Sequence, residues 1–198
     1  MEIIETLISG LSSGSTYAMI ALGYTMVYGI AKMLNFAHGD VIMVGGYVLY
    51  TTMMIGGNPL LGLLIAILFC ILLGVTIEKI AYKPLRGASP LAVLITAIGV
   101  SYLFQSLAQM IFGTAPKTVI VADLGNLEIG KLKIPYYIVI TLVCSTIIMV
   151  ALTLFVKKTK IGRAMVAVSE DKGAAQLMGI NVNRVIMLTF AIGSGLAA

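Results

Sequence analysis

The chain has 198 residues, 60% of them hydrophobic and 11% charged, with a formal net charge of +5. Soluble domains carry roughly 25% charged residues, so the composition excludes an ordinary water-soluble globule, and its apolarity excludes a disordered chain. The Lys and Arg residues fall between apolar runs, with no aromatic-basic interleaving, which argues against a nucleic-acid surface and for a polytopic helical membrane protein.

A helix that crosses a bilayer needs about 20 apolar residues. Residues 7–30 are the first such run, with Gly10 and Gly14 at the spacing that lets helices pack closely. Residues 32–40 interrupt it. Residues 41–55 resume the apolar pattern but are short for a full span, and residues 56–59 read as a turn. Residues 60–77 are the third candidate. Residues 78–90 are a charged connection, residues 91–112 a fourth span and residues 113–135 a long polar loop. In that loop, 119–121 and 127–129 flank a turn-rich linker, so a small hairpin is expected. Residues 136–156 are the fifth span and 157–184 a second charged connection. A sixth run occupies 185–198 and is too short to cross. The predicted fold is all-α: one transmembrane domain over 1–198, with about six spans and a C-terminal part missing. Cys70 and Cys144 each lie in an apolar run and read as small buried hydrophobes.

Orientation follows from the basic residues. Lys32, Lys79, Lys83, Arg86, Lys157, Lys158, Lys160, Arg163, Lys172 and Arg184 fall on one side, against Lys117, Lys131 and Lys133 on the other. The basic side is cytoplasmic. The N-terminus and loop 113–135 therefore face outward, and loop 157–184 faces the cytosol.

Two segments carry chemistry. The first, residues 29–40, places Lys32, Asn35, His38 and Asp40 between two apolar runs. One reading is a broken helix whose unwound backbone lines a cavity. The other is a cytosolic turn with Asp40 capping the next helix. The second segment is a short helix over 170–178. Ser169 caps it, Glu170 and Asp171 complement its dipole, and Gly179 ends it in the left-handed conformation. Ala174, Ala175 and Met178 fall near one face, with Leu177 beside it. That face docks either on the membrane surface or the chain's own bundle, or on a partner.

Absences narrow the classes. The sequence has no P-loop and no hydrolase or zinc-protease motif. Each Asp and Glu reads as lying at or beyond a span end, which disfavours a proton-coupled carrier. Ser101, Gln105 and Gln109 lie inside a span and suit interhelical hydrogen bonds or a path for a polar solute. No metal or cofactor set is apparent.

Several stretches, spread over nearly the whole chain, resemble the permease subunit of bacterial ABC importers for branched-chain amino acids. They are Ala21-Leu-Gly-Tyr-Thr-Met-Val-Tyr-Gly29, Leu34-Asn-Phe-Ala-His-Gly39, Lys83-Pro-Leu-Arg-Gly87, Thr159-Lys-Ile-Gly-Arg-Ala164 and Ala174-Ala-Gln-Leu-Met-Gly-Ile180. The resemblance implies a non-enzymatic, multi-pass subunit of the bacterial inner membrane without a cofactor. It implies a second related permease, two ATP-binding subunits and an extracytoplasmic solute-binding protein as partners. Ala174, Ala175 and Gly179 match the core of the coupling motif toward the ATPase, with Gly173 where a Glu is usual and the later Leu-Pro absent; Glu170, at the start of the same helix, is counted with them. The match over Asn35, Phe36, His38 and Gly39 implies the broken helix as pathway. The outer loop, around Asp123 and Asn126, is expected to receive the binding protein. A urea or short-amide permease, and a self-sufficient secondary transporter or channel, are the alternatives.

Overall fold

The computed structural model describes residues 2–119, 125–129 and 132–198. It is an all-α membrane bundle. Helix α1 (Glu2–Ala31) is 30 residues long, enough to cross at 1.5 Å per residue. Ser12, Ser13, Ser15 and Thr16 dilute its first half. Helix α2 (His38–Met54) has only 17 residues. Helix α3 (Pro59–Ile77) starts at Asn58, whose side chain accepts from the Leu60 amide, with Pro59 at the first helical position.

The expected charged connection after α3 is largely helical instead. A π-turn (Glu78–Tyr82) and a 3-10 turn (Lys83–Leu85) prolong it, so Pro59–Leu85 forms one continuous 27-residue helical stretch. Glu78 and Tyr82 are buried and find polar partners there, which lets polar residues continue the helix. Helix α4 (Pro90–Phe112) is capped by Ser89 and followed by Gly113.

Strands β1 (Asn126–Ile129) and β2 (Leu132–Pro135) pair antiparallel, with Ile129 opposite Leu132. A hairpin is present, with 126–129 pairing with 132–135; the arm expected at 119–121 lies largely outside the described residues. In sequence, Gly130-Lys131 is a two-residue connection with Gly first, a pattern that favours a tight hairpin. Helix α5 (Tyr136–Lys158) ends on Lys157 and Lys158, which suit the negative end of its dipole. Helices α6 (Lys160–Glu170), α7 (Lys172–Leu177) and α8 (Val182–Ala197) follow.

Among the described residues, three helices are long and apolar enough to cross a membrane: Pro59–Leu85, Pro90–Phe112 and Tyr136–Lys158. Helix α1 adds a fourth by length, while α2 and α8 are shorter.

Helix α8, which reads in sequence as a run cut short, is the centre of the bundle. It packs along α1 and α3 and touches α2. Its buried face carries Val185, Ile186, Thr189, Phe190 and Ser194. The close approach is made at Gly74: a Cβ there would collide with the Ser194 hydroxymethyl group. Gly10 and Gly14, expected to make such a contact, face open space among the described residues. Cys70 is buried, its thiol directed at the Val41 carbonyl at 3.5 Å, whereas Cys144 is exposed on the bundle's outer face.

Candidate translocation and coupling site

Helix α1 stops at Ala31, and Lys32 takes a left-handed φ of 57°. Residues 33–37 then carry the chain back before α2 begins at His38. The His38 ring lies edge-on to Tyr24, centroids 6.0 Å apart, and the Ile20 backbone also faces it. Tyr24 is seven residues, about 10 Å, from the end of α1. Helix α2 therefore starts beside α1, about two turns before α1 ends. The cap expected in the alternative reading does not form at Asp40: Ala37 occupies the cap position without a side-chain bond, and Asp40 is the third helical residue.

Asn35 and His38 are buried in this break, while Phe36 and Gly39 are exposed. The Tyr82 hydroxyl donates to Asn35 Oδ1 at 3.0 Å, pinning the re-entrant segment to the end of the third span. Neither ring nitrogen of His38 reaches a hydrogen-bond partner among the described residues.

Asp40 corrects the expectation that carboxylates lie only at span ends. It is buried, and Gln105 Nε2 donates to its Oδ1 at 3.0 Å. Gln105 lies well inside α4 and also donates to Ser101 Oγ, at 3.1 Å. The interhelical role expected for Gln105 is what it performs; its partner was hidden because Asp40 read as a cap. Glu78, also buried, is paired with Arg86, which in turn donates to Asn183 at the start of α8.

Loop 157–184 folds into two helices rather than one. Thr159 caps α6, accepting from the Gly162 amide, and α6 runs on to Glu170. Ser169 is not a cap; its hydroxyl donates to Val166 O. Asp171 caps α7, accepting from the amides of Gly173 and Ala174 at 2.7 and 3.1 Å. A carboxylate placed to take two amides outcompetes the hydroxyl two residues earlier. Glu170 consequently ends α6 instead of opening the next helix.

Gly179 has φ 80°, as expected, and closes a Schellman motif: Ile180 N donates to Ala175 O and Gly179 N to Gln176 O. The faces of α7 differ from expectation. Ala175 is 3% exposed and packs into the core, whereas Ala174 is exposed and Leu177 and Met178 are 91% and 82% exposed. Lys172, at the start of α7, donates through Nζ to Ala31 O at 2.9 Å. The short helix thus holds the end of α1, next to the break.

A family model described as branched-chain amino acid transport system, permease component, matches residues 6–198. This chain belongs to that family. It is 40% identical over 209 aligned positions to the high-affinity branched-chain amino acid transport system permease protein BraD of Pseudomonas aeruginosa. It is 38% identical over 211 positions to the LivH permease proteins of Escherichia coli and Salmonella typhimurium. Each alignment covers 98% of this chain and 68% of the relative. No solved structure matches.

In this permease-family chain the residues singled out from sequence form two groups. Asn35 and His38 meet inside the bundle, while Ala174 and Ala175 lie on α7 and Gly179 lies just past its end; the Lys172 to Ala31 bond connects the groups. Asp123 lies outside the described residues. Asn126 opens β1, opposite Pro135. Tyr82 and Lys172 went unnoticed in sequence because each reads as an ordinary member of a charged loop.

Proposed function

We propose that this chain is the non-enzymatic, membrane-spanning subunit of an ABC importer that carries branched-chain amino acids inward, with ATP hydrolysed on separate subunits. One observation carries the coupling part of this reading. The C-terminal end of α7 and its cap present Leu177 and Met178 almost fully exposed, while Ala175 is buried and Lys172 is bonded to the end of α1. An exposed apolar pair on a capped element outside the spans suits a partner's groove. Force on that pair has a short route to the break at Asn35, Phe36, His38 and Gly39, the proposed pathway. Glu170, Ala174 and Gly179 shape the coupling element, and Ala175 seats it on the bundle.

The positive-inside pattern supports a cytoplasmic 157–184 and an outward 113–135 in a bacterial inner membrane. The proposed assembly has a second related permease, two ATP-binding subunits and a solute-binding protein that docks on the outer loop near Asp123 and Asn126. The names of the relatives support the substrate class.

The test is uptake by the full-length product, co-purified with its partners and reconstituted into lipid vesicles. Leucine uptake that requires both ATP and the binding protein, and that valine and isoleucine but not urea or acetamide compete away, is the expected result. Uptake driven by an ion gradient without ATP-binding subunits overturns the importer reading; competition by urea alone overturns the substrate class. Exchanging residues 123–126 for a Gly/Ser linker is expected to abolish stimulation by the binding protein while assembly persists.

A further inference from the structure

A cleft of about 340 Å³ opens where the end of α1, the 3-10 turn, the start of α4 and the start of α7 converge. Three cations line it: Lys32, Arg86 and Lys172. They come from three separate elements, so no single basic stretch accounts for their meeting. Glu78 forms the single ion pair found among the described residues, and it is committed to Arg86. Both ammonium groups therefore lack a carboxylate. Lys172 places one donor on Ala31 O and has two left. Arg86 Nε is buried without a partner among the described residues.

The remaining walls add to the same field. Pro90, at the N-terminus of the 23-residue helix α4, lines the cleft; it has no N–H and Ser89 takes the Ala92 amide, so this end adds its positive dipole rather than donors. Lys32 holds a left-handed φ of 57°, a conformation that costs a non-glycine residue on the order of 1 kcal/mol and is typical of functional positions. Burial first, then the charges of Arg86 and Lys32, hold the Lys172 ammonium below its ordinary range. Like charges gathered this way repel unless an anion joins them. Leu34 and Leu94 complete the cleft with an apolar wall, and the neighbouring elements are membrane spans.

We propose that this cleft binds a phosphate ester, and specifically the phosphate of an anionic phospholipid in the adjacent leaflet. The phosphate lies among Lys32, Lys172 and the α4 N-terminus, and the acyl chains leave along Leu34 and Leu94. Basic pockets between membrane helices recognise lipid headgroups by this combination. The bound lipid would bridge the end of α1 and the start of α7, so it would stiffen the joint between the broken helix and the exposed helix. The site depends only on the fold, not on which solute is carried.

The experiment uses the full-length subunit in nanodiscs of phosphatidylcholine, with phosphatidylglycerol titrated in. Retained lipid is read by native mass spectrometry and stability by Tm. The wild type is expected to retain phosphatidylglycerol and gain Tm. Lys32→Gln with Lys172→Gln is expected to bind roughly fivefold more weakly per lysine, about thirtyfold together. Lys160→Gln, a basic residue on α6 away from the cleft, should respond as wild type. Lys32→Gln alone, at an exposed position, keeps the test open if the double variant loses helix content by circular dichroism. If wild type and all variants retain phosphatidylglycerol equally, the site is overturned. If inorganic phosphate raises Tm in pure phosphatidylcholine and phosphatidylglycerol adds nothing, the lipid assignment is overturned in favour of a soluble phosphate.

Discussion

Tyr82 and Asn35, 47 residues apart in sequence, are joined by a buried 3.0 Å hydrogen bond from the phenol to the side-chain amide oxygen. It fastens the unwound stretch between α1 and α2 to the irregular end of the third span. Such a stretch survives at depth only where its polar groups are satisfied by protein. The π-turn over Glu78–Tyr82 brings the hydroxyl there.

Tyr82→Phe keeps the ring, which packs at 5.3 Å from Phe190, and removes only the donor. The expected loss is about 1 kcal/mol of stability, with uptake falling further than stability because Asn35 is released. Thermal unfolding and leucine uptake of the full-length complex check this. Unaltered uptake would show that Asn35 needs no anchoring for transport.

Gln105→Leu leaves Asp40 without its donor inside the bundle. An unsatisfied buried polar group costs about 1–3 kcal/mol, more if charged. A second change, Asp40→Leu on the Gln105→Leu background, should restore much of that loss, since two apolar groups satisfy each other. A double-mutant cycle by Tm decides. Additive losses would mean the pair is not coupled.

Leu177→Ser combined with Met178→Ser removes exposed apolar surface without disturbing any described bond. The prediction is intact insertion and Tm, with uptake and ATP hydrolysis no longer linked in the reconstituted complex. Ala175→Glu should behave differently: a carboxylate placed in the core is expected to lower Tm, because an unpaired buried charge is strongly destabilising. Normal coupling in the serine double variant would remove this helix from the contact.

Substitutions at Gly179 should rank by tolerance of positive φ. Asn is expected to cost least and Ala more. Val should cost most, since the left-handed region costs L-residues roughly 1–2 kcal/mol and β-branched ones more. A ranking with Val equal to Asn, by Tm and uptake, would exclude a backbone role.

The two-sidedness of the chain is open to cysteine labelling, in a background with Cys70 and Cys144 replaced. A cysteine at Lys117 should react with an impermeant reagent added to intact cells, and one at Lys160 should react only after lysis. The reverse pattern would invert the topology.

Composition and apolar run lengths alone determined the all-α membrane class and the order of the spans, because the bilayer imposes a length and a solvent that any spanning helix must match. The left-handed Gly179 was also legible, since the backbone geometry of a helix end is a local property. So was the reach of Gln105 for another helix. The rest depended on where distant segments meet. Asp40 reads as a cap until α4 brings Gln105 beside it. Residues 78–85 read as a loop until Arg86, Asn35 and the core give their polar side chains partners. The inward turn of Ala175 and the outward turn of Leu177, about 200° apart around the helix, depended on which side of α7 meets the bundle. Likewise the last run, 185–198, gave no sign of being central. Length speaks to whether a helix can cross a bilayer; burial depends on the helices around it, and those are set by the whole fold.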